Sequence, residues 1–205
     1  TVPAGSRVTM MSRINAYASG KPYLSLLGAF GGKLYYLNSS NTWTAAIGAQ
    51  AESIPTTRAV YAVPFLGEVV IPTTTGKPII FNYGTAAAAT VSESAGTAPS
   101  DVRMAAVWQS AVWVAGTLAS PGILYSCRVD DVTDWDFSVT DDEGGAFASD
   151  TDDKSGLLNG PITALMPQTA ASMVVSTLEG LLIIRRHPRQ GGSFEQLDKT
   201  TYVLG

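Results

Sequence analysis

The sequence predicts an all-β chain, built as a propeller-like array of small antiparallel sheets of three to four strands. Three observations carry this expectation. Short runs rich in Val, Ile, Leu and aromatic residues alternate with turns containing Gly, Pro or Asn. These runs fall into sets whose internal spacing repeats along the chain. Helical periodicity is sustained nowhere for ten residues. A two-sheet sandwich or a barrel also shows short strands at regular spacing and is the alternative architecture.

Residues 1–19 (TVPAGSRVTMMSRINAYAS) hold no sustained period and are expected as an N-terminal arm, with a short strand at Arg7–Met11. Residues 20–205 are expected as one all-β domain carrying an acidic insertion at 130–160. The first set of strands is YLSLLGAF, KLYYLN and TWTAAI, with Gly31–Gly32 supplying the positive φ of a two-residue hairpin. The second is RAVYAVPFL, VVIPTTT and PIIFNYG, turning at Gly67–Glu68 and Gly76–Lys77. The third is VRMAAVWQ, AVWVAGT and ILYSCRV, with a turn at Ser120–Pro121–Gly122. The fourth is ITALMPQ, SMVVSTL, LLIIRR and SFEQLD, with a turn at Glu179–Gly180. The Ala86–Ala89 run reads as loop or strand.

The steps Leu24 to Leu34, Ala59 to Val69, Val102 to Trp113 and Ile162 to Met173 are all ten or eleven residues. Val69 to Ile79, Trp113 to Ile123 and Met173 to Ile183 are each ten. A self-similar unit of about 40 residues made of short antiparallel strands is the signature of propeller blades. Small residues in first strands (Ala59, Ala62, Ala105, Ala106, Ala164) fit a crowded axis. Bulky Trp113, Phe81, Ile183 and Ile184 fall where blades pack face to face.

Of 205 residues, 45% are hydrophobic and only 15% charged, a low charge that suits a surface covered by neighbours in an assembly. The net charge of −4 argues against a dedicated nucleic-acid binder. One cysteine, Cys127, excludes an internal disulfide framework. No apolar run reaches the roughly 18 residues of a membrane-spanning helix, and residues 1–19 lack the layout of a signal peptide.

Candidate chemistry is sparse. Ten of the seventeen acidic residues lie between Asp130 and Gly160, too many for a dry core, so a solvated insertion is expected there. Within it Asp150, Asp152, Asp153 and Gly156 approach a calcium loop, but Lys154 takes a ligand slot and no Glu closes the loop. His187 reads as an exposed strand-end residue, and no second His or Cys cluster joins it to hold zinc. A Ser-His-Asp arrangement is formally open, although no G-x-S-x-G elbow is present. Cys127 reads as a packed small residue. Arg185, Arg186 and Arg189 form a small basic cluster that reads as a solvated turn, able at most to meet a phosphate or a partner carboxylate. No Gly-rich phosphate loop occurs.

In ILYSCRVDDVTDWDF a strand ends in the Ser126 segment and is followed by an Asp-x-x-x-Trp turn, Asp131 to Trp135, which includes Asp134. An acidic, Gly-containing loop comes next, then Gly160–Pro161–Ile162–Thr163–Ala164–Leu165 and the hairpin SMVVSTLEGLLIIRR turning at Gly180. Over about residues 102–205 this order resembles the propeller-type tail proteins of tailed bacteriophages, found in the hubs and nozzles of short tails. Arg13–Ile14–Asn15–Ala16–Tyr17 faintly resembles the entry of the same proteins, and the front half matches in style alone. The resemblance implies a non-enzymatic structural protein of the virion tail (hub, nozzle or head–tail connector component), assembled in the host cytoplasm. It further implies a sixfold ring of copies below the portal and adaptor proteins, with other tail proteins or fibres as neighbours. Such a ring surrounds the DNA exit channel, and an acidic wall lets DNA slide past during ejection.

On this reading Trp135, Asp134, Asp136, Trp113, Arg185 and Arg186 are structural or interaction residues. No catalytic, cofactor-binding or metal-binding residue is expected. The reading from a different class is a carbohydrate-binding or glycan-cleaving propeller that uses Trp135 and the acidic loop as a sugar platform.

Overall fold

Alternating side chains and two-residue turns set the sheets. The computed structural model describes residues 6–18, 21–51, 53–139, 141–149 and 160–196. The chain divides into two compact units, one of residues 1–92 and 99–105, the other of residues 93–98 and 106–205. A single domain over 20–205 was the sequence expectation, and the division falls inside it.

In the first unit, β1 (Val8–Ala18), β2 (Lys21–Phe30), β3 (Lys33–Leu37) and β4 (Trp43–Ala45) form one antiparallel sheet in chain order. The arm expected over 1–19 is corrected here. From Val8 onward it is an eleven-residue strand paired with β2, in continuous register from Met10↔Ala29 to Ala18↔Lys21 after a bulge that follows Val8↔Phe30. Its physical reason lies in the alternation of buried Met10, Ser12 and Ile14 with exposed Met11 and Arg13, a period of two over a short stretch. Gly31 and Gly32 turn β2 into β3 with φ of 61° and 85°, the left-handed pair that a type I′ hairpin requires.

The second sheet is β5 (Val63–Phe65), β6 (Glu68–Ile71), β7 (Ile79–Asn82) and β8 (Ala87–Thr90). Its first turn is Leu66–Gly67, with φ of 46° and 83°, one residue earlier than expected. The first strand is also shorter than RAVYAVPFL suggests. Val60 instead donates its N–H to the Thr9 carbonyl, and the Arg58 guanidinium reaches the carbonyls of Val102 and Arg103. Met10, Ile14, Leu27, Ala29 and Leu34 of the first sheet share one buried cluster with Val69, Ile71, Ile79, Phe81 and Ala88 of the second. This is sheet-on-sheet packing, with alternate residues of each strand pointing into the shared layer.

In the second unit, β9 (Ala95–Gly96) is followed by β10 (Met104–Trp108), β11 (Ala111–Ala115) and β12 (Leu124–Ser126). The chain then forms β13 (Asp134–Trp135) and β14 (Phe147–Ala148). The third sheet runs β10-β11-β12-β14, while β13 pairs in parallel with β9. All five residues of β11 are buried, so both of its faces are covered. The fourth sheet is β15 (Ile162–Thr169), β16 (Ser172–Thr177), β17 (Leu181–Arg185) and β18 (Ser193–Gln196), again in chain order. A 3-10 turn, Pro188–Gln190, links β17 to β18.

The fold is therefore all-β and propeller-like: four four-stranded sheets of similar plan, not closed into a barrel among the described residues. The insertion at 130–160 departs from the expectation of a purely solvated excursion. Trp135 is buried, residues 145–149 are buried, and Phe147–Ala148 return as the fourth strand of the third sheet.

Candidate functional site

The richest cluster of polar and aromatic side chains lies in the second unit, around the segment Arg128–Ser149 and the link His187–Gly192. Its acidic residues fold the loop through local hydrogen bonds. Asp131 accepts from the Thr133 N–H (2.8 Å) and hydroxyl (2.6 Å). Asp134 accepts from the Asp136 N–H at 3.0 Å, and Asp136 from the N–H and hydroxyl of Ser138 at 3.0 and 2.6 Å. Asp142 accepts from the Gly144 N–H at 2.9 Å. Each is an Asx turn, in which the side-chain oxygen stands in for a backbone carbonyl and accepts from the N–H two residues on. These bonds favour the carboxylate form, so Asp136 is held below its usual range by Ser138, and Asp142 by Gly144 and then by Arg128. Arg128 lies 2.5 Å from Asp142 and 3.8 Å from Asp134, tying two of the turns together.

Trp135 is the plug beneath these turns. It is 0% exposed, donates its indole N–H to the Val132 carbonyl at 2.7 Å and meets Phe137 edge-on. The approach of β13 to β9 depends on Gly96, since a Cβ there would lie 2.1 Å from the Trp135 carbonyl oxygen. A fully buried indole has no face to offer a sugar. The platform expected of Trp135 in the glycan reading is thus corrected to a core residue.

His187 is likewise corrected from an exposed strand-end residue. It is 0% exposed, with its ring 5.0 Å from Trp113 and 6.3 Å from Phe147. Its Nδ1 accepts from the Arg189 N–H at 3.2 Å, which caps the 3-10 turn. An accepting Nδ1 fixes the proton of the neutral ring on Nε2, which faces the Ser126 hydroxyl at 3.4 Å. In that tautomer the imidazole donates to Ser126 and cannot take its proton, so this pair is no nucleophile–base couple. Burial first, and the Arg189 charge second, push His187 down to about 4.

Arg189 donates to the Ala146 carbonyl through Nε (3.1 Å) and Nη2 (2.8 Å), and to the Phe137 carbonyl at 3.2 Å. It ties Phe137 to Ala146 across the loop between them, so the basic cluster expected at 185–189 does not act as one patch. Arg185 pairs with Glu195 at 3.2 Å on the open surface, and Arg186 is exposed. Of the residues singled out as structural or for interaction, Trp113 and Trp135 belong to the core, Asp134 and Asp136 to partly exposed Asx turns, and Arg185 and Arg186 are exposed. Cys127 is packed as expected. Its sulfur accepts from the Val112 N–H, and burial pushes the thiol up to about 12.

The calcium candidates Asp150, Asp152, Asp153 and Gly156 lie outside the described residues, among which no group of three His, Cys, Asp or Glu side chains could hold a metal ion. No helix among them is long and apolar enough to cross a membrane. The first unit has an open pocket of about 200 Å³ at the β5–β6 turn, lined by Ile14, Phe65, Leu66, Glu68 and Tyr83. It gathers one carboxylate and apolar walls, which is a recess without convergent polar chemistry.

No protein-family model matches the chain, and no curated protein matches it in sequence. Solved structures are similar in fold. One is a domain described as the extracellular part of a one-component system from B. thetaiotaomicron (16% identity, TM-score 0.57). It matches 95% of this chain and 22% of its own. PorZ, a bacterial surface component of the type-IX secretion system of Porphyromonas gingivalis, matches 95% of this chain at 11% identity with a TM-score of 0.57, over 21% of its own length. The computationally designed Ika4 protein matches over 90% of this chain and 94% of its own at 14% identity, with a TM-score of 0.52. This chain spans about a fifth of the two natural neighbours, and identities this low show the shared fold alone: an all-β, propeller-like array of small antiparallel sheets.

Proposed function

We propose that this chain is a structural component of a bacteriophage tail, of the hub, nozzle or connector kind, and that it works through contacts between protein chains rather than by catalysis. The observation that supports this best is where the polar groups of its most conspicuous segment are directed. Asp131, Asp134, Asp136 and Asp142 fold their own loop, Arg189 clamps it, and Trp135 and His187 are buried beneath it. The tail assignment rests on the sequence resemblance over residues 102–205, and the Asp131-to-Trp135 turn that carries it is a fold-building element of the second unit. In this reading the chain associates with copies of itself in a ring, with other tail proteins beside it and exiting DNA in passive contact.

Gold-labelled antibody against the chain, applied to purified tailed particles of the source, tests the assignment. Label on the tail is expected, and particles free of label with the chain recovered in a cell-envelope fraction would overturn it. That second location belongs to the alternative favoured by the fold likeness to surface and extracellular domains, namely a module of a cell-surface protein. The glycan reading has lost its platform at Trp135, and glycan-array binding that Asp136→Ala abolishes while the fold stays intact would be needed to restore it.

A further inference from the structure

Between Phe137 and Ser149 the described residues form a single short strand, β14, which pairs with β12 through Tyr125↔Ala148 and Ser126↔Phe147. Ser149 adds two bonds to Leu124, one from its N–H and one to its hydroxyl. The other strong hold on this segment is the Arg189 fork, which joins the Phe137 and Ala146 carbonyls. His187 stands between the two holds. Its Nδ1 accepts from the Arg189 N–H, its Nε2 faces Ser126 on β12, and its ring lies against Phe147 on β14.

The arrangement needs a neutral ring. A protonated imidazole carries two donors, so the Arg189 N–H loses its acceptor, and a second positive charge arises beside the guanidinium in a site closed to water. The least costly relief is to move the 187–189 link and the short strand beside it, since β14 shares two residue pairs with its neighbour whereas β16 shares five with β17. We propose that His187 and Arg189 form a proton-operated latch: proton uptake by His187 releases Arg189 from the Phe137 and Ala146 carbonyls and frees β14 from β12, while the rest of the second unit stays folded. The latch stands independently of the tail assignment. Its opening leaves the Leu124–Ser126 edge without its β14 partner, and a bared strand edge is a place where another chain can add.

The neighbouring charges leave His187 as the group that responds to mild acid. Arg189 supplies the charge that acts on the ring. Trp113 on β11 and Phe147 on β14 bring aromatic faces, and Ser126 on β12 a neutral hydroxyl. Beyond Ser126, Cys127 is turned to the Val112 N–H, and Arg128 is paired with Asp142 and Asp134. On β18, Phe194 stacks on Phe147 while Glu195 pairs with Arg185. Asp142 also feels Arg189, but the Gly144 N–H first and Arg128 next hold it below its usual range, so it stays ionised where His187 begins to titrate.

The chain has one histidine, so its ring protons report proton uptake directly by NMR. Hydrogen exchange with mass readout reports the opening in peptides covering 141–149. With the freed ring at 6.5 and the latched ring near 4, opening should rise about fivefold from pH 6.5 to 5.5 and about fortyfold from pH 6.5 to 4.5, after correction for intrinsic exchange. These peptides should exchange ahead of β11 and β16 at each pH, and with little response to low urea, because local opening exposes little surface. His187→Gln should flatten the pH dependence. Asp142→Asn, at a partly exposed position, should preserve it, and neither this arm nor the parent requires a change in the core. A ring that titrates near 6.5 in the folded chain would overturn the latch. So would exchange in 141–149 that moves only in step with β11 and β16, or a pH dependence that Asp142→Asn abolishes or His187→Gln leaves intact.

Discussion

His187 makes acid the sharpest probe of the second unit. Its ring is enclosed by Trp113 and Phe147, faces the Ser126 hydroxyl and accepts from the Arg189 N–H through Nδ1. A neutral ring satisfies both partners, whereas a protonated one has no acceptor left for Arg189 and adds a buried charge beside a guanidinium. The unfolded chain takes up this proton near pH 6.5, and the folded chain resists it until about 4. Stability is therefore complete above pH 6.5 and is lost progressively as pH falls toward 4. The separation of the two values corresponds to about 3 kcal/mol, a large fraction of the 5–15 kcal/mol that typically holds a domain folded. Urea unfolding followed by tryptophan fluorescence, at pH 7, 5.5 and 4.5, measures it, with His187→Gln as the reference. Glutamine offers a donor and an acceptor without titrating, and the carboxylates common to both chains cancel in the difference. The parent chain should lose about 1.4 kcal/mol per pH unit more than the variant between pH 6 and 4.5. Parallel pH dependences in the two chains would refute the burial argument.

Three further outcomes follow from the same packing. Trp135→Ala should destabilise the second unit by about 3–5 kcal/mol through the cavity it leaves, read as a fall in the urea midpoint with unchanged slope. Arg189→Ala should cost about 1–3 kcal/mol because the Ala146 and Phe137 carbonyls lose their donor; Arg189→Lys should not restore it, since one ammonium cannot reproduce the fork. Hydrogen exchange should then quicken first around Phe147. Gly96→Ala should separate β9 from β13 and cost about 1–3 kcal/mol for the left-handed backbone alone, visible as altered Trp135 fluorescence.

Much of the sheet plan is legible in the sequence because turn chemistry is local. Gly31–Gly32 announces its hairpin, and the ten-residue steps place the second and third strands of each sheet. Where the turn residue is not glycine the signal weakens. Gln109 and Ser110 make the β10–β11 turn with φ of 49° and 54°, which only their place between two paired strands enforces. The strand Val8–Ala18 is hidden because Met10–Ile14 alternates in burial while Met11, Ser12 and Arg13 blur the polarity pattern. The use of the acidic segment is half-legible. Asp131-Val-Thr133, Asp136-Phe-Ser138 and Asp142-Glu-Gly144 each place a donor two residues after a carboxylate, a turn signal that a count of charges passes over. His187 gives no such local sign of burial. Its neighbours Arg186, Pro188 and Gly191 read as a solvated turn, and only the return of Phe147 beside Trp113 closes the aromatic box around it.

Central to the account is that the acidic and aromatic cluster around Trp135 and His187 serves the chain's own fold. Hydrogen exchange with mass readout, compared between dilute and concentrated chain, tests that most directly. Exchange across residues 130–145 is predicted to be the same at both concentrations. New protection that appears across 130–145 on concentration would contradict it.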